Sequence, residues 1–414
     1  MSATEPRRTE SLDEALLSAE FLRRPYPVYA RLRREDPVHW MEAWNTWLIT
    51  RFDDASSVLR EDGRTFSVAG RVSRALRVLP EEMRAGLGVV QQHFSTGISF
   101  SDPPVHTHIR GVLNKAFSPR TIDGMRPRIE QRVQALLDGA GDADAMDIVG
   151  DFALPLPEMV IADVLGLPLE KLAGFRAWSD DLAAFFGSNR QTTDTAGRGR
   201  DALVELRECM RGLAAERRQG PRDDVIGRLV DAERGGQGLS EDEFLSTTVT
   251  FAVGGHKTTT ALIGSAMWWL LREPDQFRRL RAEPGLMPTA VEEFLRLEAP
   301  TQRVTKIATR DVEIGGRVVR EGELVMVLLG AANRDPDAFT EPDRLDIARS
   351  DNRHLSFSLG RHFCIGANLA RLEAGIALGA LLDRYPAMRL ASEALPWNPN
   401  PTFRMLRSLP VTLA

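Results

Sequence analysis

Lysine is scarce in this chain. Of its 53 basic residues only Lys115, Lys171, Lys257 and Lys306 are lysine; the rest are arginine. The bias fits a GC-rich genome, and it makes each lysine worth locating. Cysteine is scarcer still, and Cys209 and Cys364 stand far apart. That excludes a disulfide scaffold and fits a reducing cytosol. A positive surplus is also missing: with 58 acidic residues the formal net charge is −5. Nucleic acid is therefore not expected as a partner. Long apolar runs are absent. The longest, Leu324 to Ala332 and Ala374 to Leu382, are about half of what a membrane span needs. The opening MSATEPRRTESLDEA carries no apolar signal-peptide core. A soluble, cytoplasmic protein that does not enter a membrane is expected.

What is present is helical periodicity. A length of 414 residues suggests two or three domains. No linker divides the chain, so a single domain over residues 1–414 is expected. Arg126 to Leu137 reads as an amphipathic helix, and so does Pro157 to Val164. Ser240 to Glu243 is a capping box that opens a pattern running to about Arg272, closed by Pro274. A helix that long is expected to cross the molecule. Pro288 to Leu297 and Leu369 to Tyr385 are further helices. Val312 to Ile314 and Val318 to Val319 flank a Gly315–Gly316 turn and read as a hairpin. Leu324 to Leu329 is a buried strand or a helix start; periodicity does not decide. The expected fold class is mainly α with small β-sheets.

The sharpest feature is the segment HLSFSLGRHFCIGANLAR, His354 to Arg371. Cys364 lies between Gly360 and Gly366, with a helix behind it. A helix N-terminus favours a thiolate, and glycines let the backbone approach a flat ligand. A buried structural cysteine in a glycine-rich turn is the bland alternative.

The spacing Phe357-x-x-Gly360-x-x-x-Cys364-x-Gly366 resembles the haem-binding signature of cytochrome P450. The resemblance extends from about Arg24 to Ala414. It implies the P450 fold, a triangular, prism-like helical domain that encloses haem b. It assigns Cys364 as the thiolate ligand of iron, which pushes electron density towards the metal and favours O–O cleavage. Phe357 would pack on the haem, and Gly366 would leave room for N–H groups near sulfur. Glu293-Phe294-Leu295-Arg296 matches the family's ExxR motif, whose ends share one helix face. Arg344 matches the later arginine that completes that network. Asp102 to Arg110 resembles the segment DPPxHxxxR, which implies that His106 and Arg110 bind a haem propionate. His362 matches another propionate ligand, and Lys306 stands where the family usually has an arginine, able to neutralise a propionate as a point charge, with Arg303 a competitor for that role.

The long helix contains Gly254-Gly255-His256-Lys257-Thr258-Thr259. Relatives read small-Gly-x-acid-Thr there. The resemblance makes Gly255 and Thr258 parts of the oxygen site, with paired glycines suited to a kink. Lys257 stands where the acid is expected. It either lies off the proton relay, or exchanges charge with Asp180 or Asp181, or contacts an acidic substrate, or snorkels to solvent.

Segments around Val72 to Ile98, Leu182 to Arg190, Val249 to Val253, Thr301 to Thr305 and Thr402 to Met405 are implied to line an apolar cavity. Arg71 and Arg74 could bind an acid group or be exposed. The implied function is a monooxygenase that uses O2 on a hydrophobic small molecule. Electrons would come from a ferredoxin and a ferredoxin reductase, because the chain has no room for a flavin domain. Arg110, Arg361 and Arg371 could face that partner. A peroxygenase or oxidative-coupling enzyme on the same fold is the alternative that Lys257 raises. A non-catalytic haem module and a haem-free helical protein are the rivals from other classes.

Overall fold

The computed structural model describes residues 10–413 apart from 61–62, 78, 85, 142 and 188–191. Its axis is one helix, Glu241–Arg272. Ser240 caps it: its hydroxyl accepts from the Glu243 N–H, and the Glu243 carboxylate accepts from the Ser240 N–H at 2.9 Å. The helix is buried along most of its length, from Leu245 to Leu270. It has neighbours on nearly every side, and its buried positions mix apolar residues with Ser246, Thr247, Thr248, Thr260 and Ser265. Pro274 does stop it, and also starts the next helix, Pro274–Ala282.

Around this central helix pack Pro155–Leu165, Leu172–Gly187, Thr193–Gln219, the ExxR helix Met287–Leu297 and the post-cysteine helix Ala367–Arg384. Close approach needs small residues. A Cβ on Gly255 would sit 2.7 Å from the Ile161 side chain, so Gly255 sets the distance to Pro155–Leu165. The shared core is large and continuous, from Val90 and Ile109 through Phe152 and Leu206 to Leu378 and Leu409. Burying each such side chain contributes roughly 1.5–3 kcal/mol.

The main sheet has five strands, in the order Val38–Met41, Thr46–Ile49, Leu324–Leu328, Arg303–Ala308, Phe66–Ser67. It joins residues 38–67 to residues 303–328. Thr46–Ile49 pairs parallel with Leu324–Leu328, and Lys306 lies opposite Val325 on the antiparallel side. The Leu324 run is both things that its sequence allowed: a strand to Leu328, then a helical turn Leu329–Ala332. Both pieces are buried, so hydrophobicity does not mark the switch. The hairpin forms with Ile314 opposite Arg317 across the two glycines. No helix among the described residues is long and apolar enough to cross a membrane.

Candidate functional site

The cysteine loop is built around two backbone constraints. Gly360 has φ +67°, and a Cβ there would meet the Arg60 backbone at 3.1–3.4 Å. Only glycine fits both the left-handed conformation and that approach. The Cys364 N–H donates to the Phe357 carbonyl at 2.9 Å and closes the loop. The post-cysteine helix then starts at Ala367, two residues earlier than its periodicity indicates, with Gly366 at the N-cap.

Cys364 is exposed and lines a cavity of about 380 Å³. Burial pushes the thiol up. The Gly366 and Ala367 N–H groups and the charges of Arg110 and Arg371 pull against it. A Cβ on Gly366 would stand 3.9 Å from the sulfur, in ordinary contact. The residue leaves donors beside sulfur rather than avoiding a clash. Phe357 lies under the Arg371 guanidinium, 4.6 Å from it, and also lines the cavity.

Arg371 is held in turn. Its Nε and Nη2 donate to Glu292 at 2.6 and 2.7 Å, and His354 Nε2 lies 3.2 Å from the same carboxylate. Burial opposes charge on Glu292, but these hydrogen bonds outweigh it and bring the carboxyl down to about 2. A lowered folded-state value stabilises the fold above the ordinary value of 4.5, and the benefit is lost as pH falls towards about 2. The unfolding free energy measured in urea is therefore expected to drop between about pH 5 and pH 2, by roughly 2–3 kcal/mol from this group. Glu292→Gln should be weaker at pH 7 and flatter across that window. An unchanged acid slope in Glu292→Gln removes this carboxyl from the account.

Four of the expected propionate ligands converge. His106, Arg110, Lys306 and His362 all line the cavity. The His106 and His362 rings lie 4.4 Å apart. Burial and neighbouring cations hold both below the ordinary histidine value, His362 at about 3. Each ring is then neutral at pH 7 and can donate one N–H. His106 Nε2 is buried and has no hydrogen-bond partner among the described residues. Arg110 donates to the Phe363 carbonyl at 2.8 Å. Lys306 Nζ donates to the Val58 and Leu59 carbonyls. Arg303 points elsewhere: it reaches Thr402 Oγ1 and stacks on Trp44, and it is not part of the cavity wall.

The ExxR pair forms as a bidentate contact, with Arg296 Nε and Nη2 at 2.7 and 2.8 Å from Glu293. The third member is Arg349, not Arg344. Arg349 Nε lies 3.1–3.2 Å from both Glu293 oxygens. The Arg344 side chain pairs with Glu341 at the surface, and only its carbonyl meets Arg296. Residues 340–352 wrap around Glu293, and the turn at 344 leaves that side chain outside. This network touches no part of the cavity.

On the central helix, Gly254, Gly255 and Thr258 line the cavity. The Thr258 hydroxyl donates to the Gly254 carbonyl at 2.8 Å. Such back-bonding to the preceding turn bends a helix, although the helix continues unbroken from Glu241 to Arg272. Lys257 lies outside the cavity wall. It is buried and pairs with Asp180, while Asp181 pairs with Arg198 at 3.3 Å. Beside them Arg176 clamps the buried Glu158. Lys257→Glu therefore sets like charges against Asp180 and Glu158, with an expected loss of about 1–3 kcal/mol. Adding Asp180→Lys should recover more than half of the melting-temperature loss. No recovery would mean that the ion pair is incidental.

The cavity wall departs from the expected segments. Ile98, Thr250, Phe251, Thr301, Val304, Thr305 and Phe403 line it as expected. Leu182 to Gly187 do not, and 188–190 lie outside the described residues. Leu59, Val68, Ile161 and Val164 were missed. Ile161 and Val164 carry a signal in hindsight, since they share the face of Pro155–Leu165 that meets Gly255.

The arrangement fits haem. A cysteine sulfur and a helix with a threonine hydroxyl open into one mostly apolar space. An orphaned imidazole nitrogen and several cations stand together on its wall. Residues 83–403 match the family model for cytochrome P450. The polyketide biosynthesis cytochrome P450 PksS of Bacillus subtilis is 37% identical over 95% of this chain and 97% of its own. The 6-deoxyerythronolide B hydroxylase of Saccharopolyspora erythraea is 36% identical over 94% and 96%. A solved myxobacterial cytochrome P450, CYP267B1 in complex with myristic acid, superposes with a TM-score of 0.87 at 37% identity, covering 97% of this chain and 99% of that one. By sequence match and fold alike, the chain belongs to the cytochrome P450 family, whose members are oxidoreductases that carry a haem iron.

Proposed function

We propose that the protein is a soluble, cytoplasmic bacterial haem-thiolate monooxygenase, working as one haem domain over residues 1–414. It places one atom of O2 in a hydrophobic small molecule and releases the other as water. Two electrons arrive from a ferredoxin and its reductase. Haem b, when bound, supplies the oxygen chemistry. Cys364 would ligate its iron, with the Gly366 and Ala367 N–H groups beside the sulfur. His106, Arg110, Lys306 and His362 would hold the propionates, and Phe357 would pack against the ring. Gly255 leaves space in the cavity wall. Thr258 would hold a water and pass a proton inward, its hydroxyl aligned by the Gly254 carbonyl. Lys257 stays outside the cavity and positions the helix through Asp180.

The observation that carries this reading is that Cys364 and the Thr258–Gly254 pair open into the same apolar cavity. The wall suits a lipophilic chain or ring system, such as a polyketide, a fatty acyl group, a terpenoid, a steroid or an aromatic. The peroxygenase or coupling alternative draws on Lys257 alone, and an ion-paired lysine outside the cavity gives it little support. Peroxide-driven turnover without a reductase would restore it. The deciding experiment is the carbon monoxide difference spectrum of the dithionite-reduced protein. A red-shifted Soret band supports haem bound through thiolate. Absence of haem after reconstitution overturns the reading.

A further inference from the structure

The cavity wall holds one arginine that the site described above does not use. Arg71 opens the helix Arg71–Arg77 and lines the cavity. Nη1 donates to the Thr305 carbonyl at 3.0 Å and Nη2 to the Ser99 carbonyl at 2.9 Å. The group also lies over the Phe100 ring, 5.0 Å from its centre. These contacts fix the plane of the fork. They use two of its five N–H donors and supply no negative charge.

Among the buried arginines, Arg217, Arg296, Arg334 and Arg404 reach a carboxylate (Asp224, Glu293 and, for the last two, Glu298), while Arg303 reaches Thr402 Oγ1. Arg71 has no carboxylate within ion-pair distance among the described residues. Arg71 is half-buried, and its two carbonyl acceptors bring no counter-charge, so its cation is only partly compensated. Burial draws its pKa down to about 10, and Asp102 opposes that from a distance. Arg74, one turn on, is not part of the wall.

We propose that Arg71 binds a carboxylate inside the cavity, as a two-pronged donor held in place by the Ser99 and Thr305 carbonyls. Planar, bidentate recognition is what a guanidinium offers a carboxylate over an ammonium. Two sources share this chemistry. One is a haem propionate, since Thr305 adjoins Lys306 and the wall also carries His106 and His362. The other is an acidic substrate, since Val68, Ile98 and Phe403 give the same space an apolar lining for its chain. The inference rests on the haem reading above.

The test uses holoenzyme that shows the thiolate Soret band, in wild type, Arg71→Gln and Arg71→Lys. In the first arm, binding of dodecanoic acid, methyl dodecanoate and dodecanol is followed by the low- to high-spin shift. If the substrate carboxylate is held, wild type prefers the acid. Arg71→Gln loses about tenfold in affinity for the acid and little for the ester or alcohol, and Arg71→Lys falls between. In the second arm, haem transfer to apomyoglobin is timed. If a propionate is held, Arg71→Gln releases haem about tenfold faster with ligand selectivity unchanged. Either result supports the proposal and says which carboxylate it is. If both variants match wild type in both arms, the proposal is overturned. A wild-type protein without thiolate-bound haem would instead overturn the parent reading.

Discussion

Cys364→Ser is expected to abolish oxygenase activity while leaving the fold in place. The loss should be at least about a thousandfold, or about 4 kcal/mol in the barrier. The argument starts from the loop. Cys364 is held by its own N–H to Phe357 and by the turn at Gly360, so the backbone does not depend on the sulfur. Serine keeps the size of the side chain and its place beside the Gly366 and Ala367 N–H groups. It removes the soft, electron-rich sulfur that the proposed chemistry needs as a ligand. On the proposed site the protein should still take up haem, because His106, Arg110, Lys306 and His362 are untouched. The reduced carbon monoxide band is then expected at the blue-shifted position rather than the red-shifted one. Full turnover in Cys364→Ser would mean that the iron is ligated elsewhere.

The contrast between what was legible and what was not follows the same physics. The cysteine loop was readable because four fixed positions fall within ten residues, each with a local reason. The long helix was readable because Ser240 and Glu243 cap it within four residues. Local rules stop where a partner is chosen by tertiary packing. Asp180 and Asp181 are adjacent in sequence, yet only the helix rotation gives Lys257 to the first and Arg198 to the second. Arg71 and Arg74 differ by three residues, and only the first is on the cavity wall. The five-stranded sheet pairs Thr46 with Leu324, a contact that no short-range pattern announces. Arg344 and Arg349 are the plainest case. Motif position favoured Arg344, and the wrapping of residues 340–352 selected Arg349.

That selection makes a second large effect. Arg349→Ala should destabilise the fold by about 3 kcal/mol, and Arg344→Ala by no more than about 0.5 kcal/mol. Glu293 is fully buried, and its two oxygens accept from Arg296, Arg349, the Asp346 N–H and Asn352 Nδ2. Removing Arg349 leaves this carboxylate one cation short in a place that water does not reach. Arg296 remains, so the loss stays at the lower end of what breaking a buried pair costs. Arg344 has a surface partner, Glu341, and both side chains are about 60% exposed. Pairs of that kind contribute little. Urea midpoints of the two variants measure the difference directly. A double variant with Glu293→Gln should show strong non-additivity with Arg349→Ala and none with Arg344→Ala. Because the network lies under the ExxR helix and not in the cavity, Arg349→Ala should release haem only as it unfolds. Equal damage from both arginines would place the third member of the network back at Arg344.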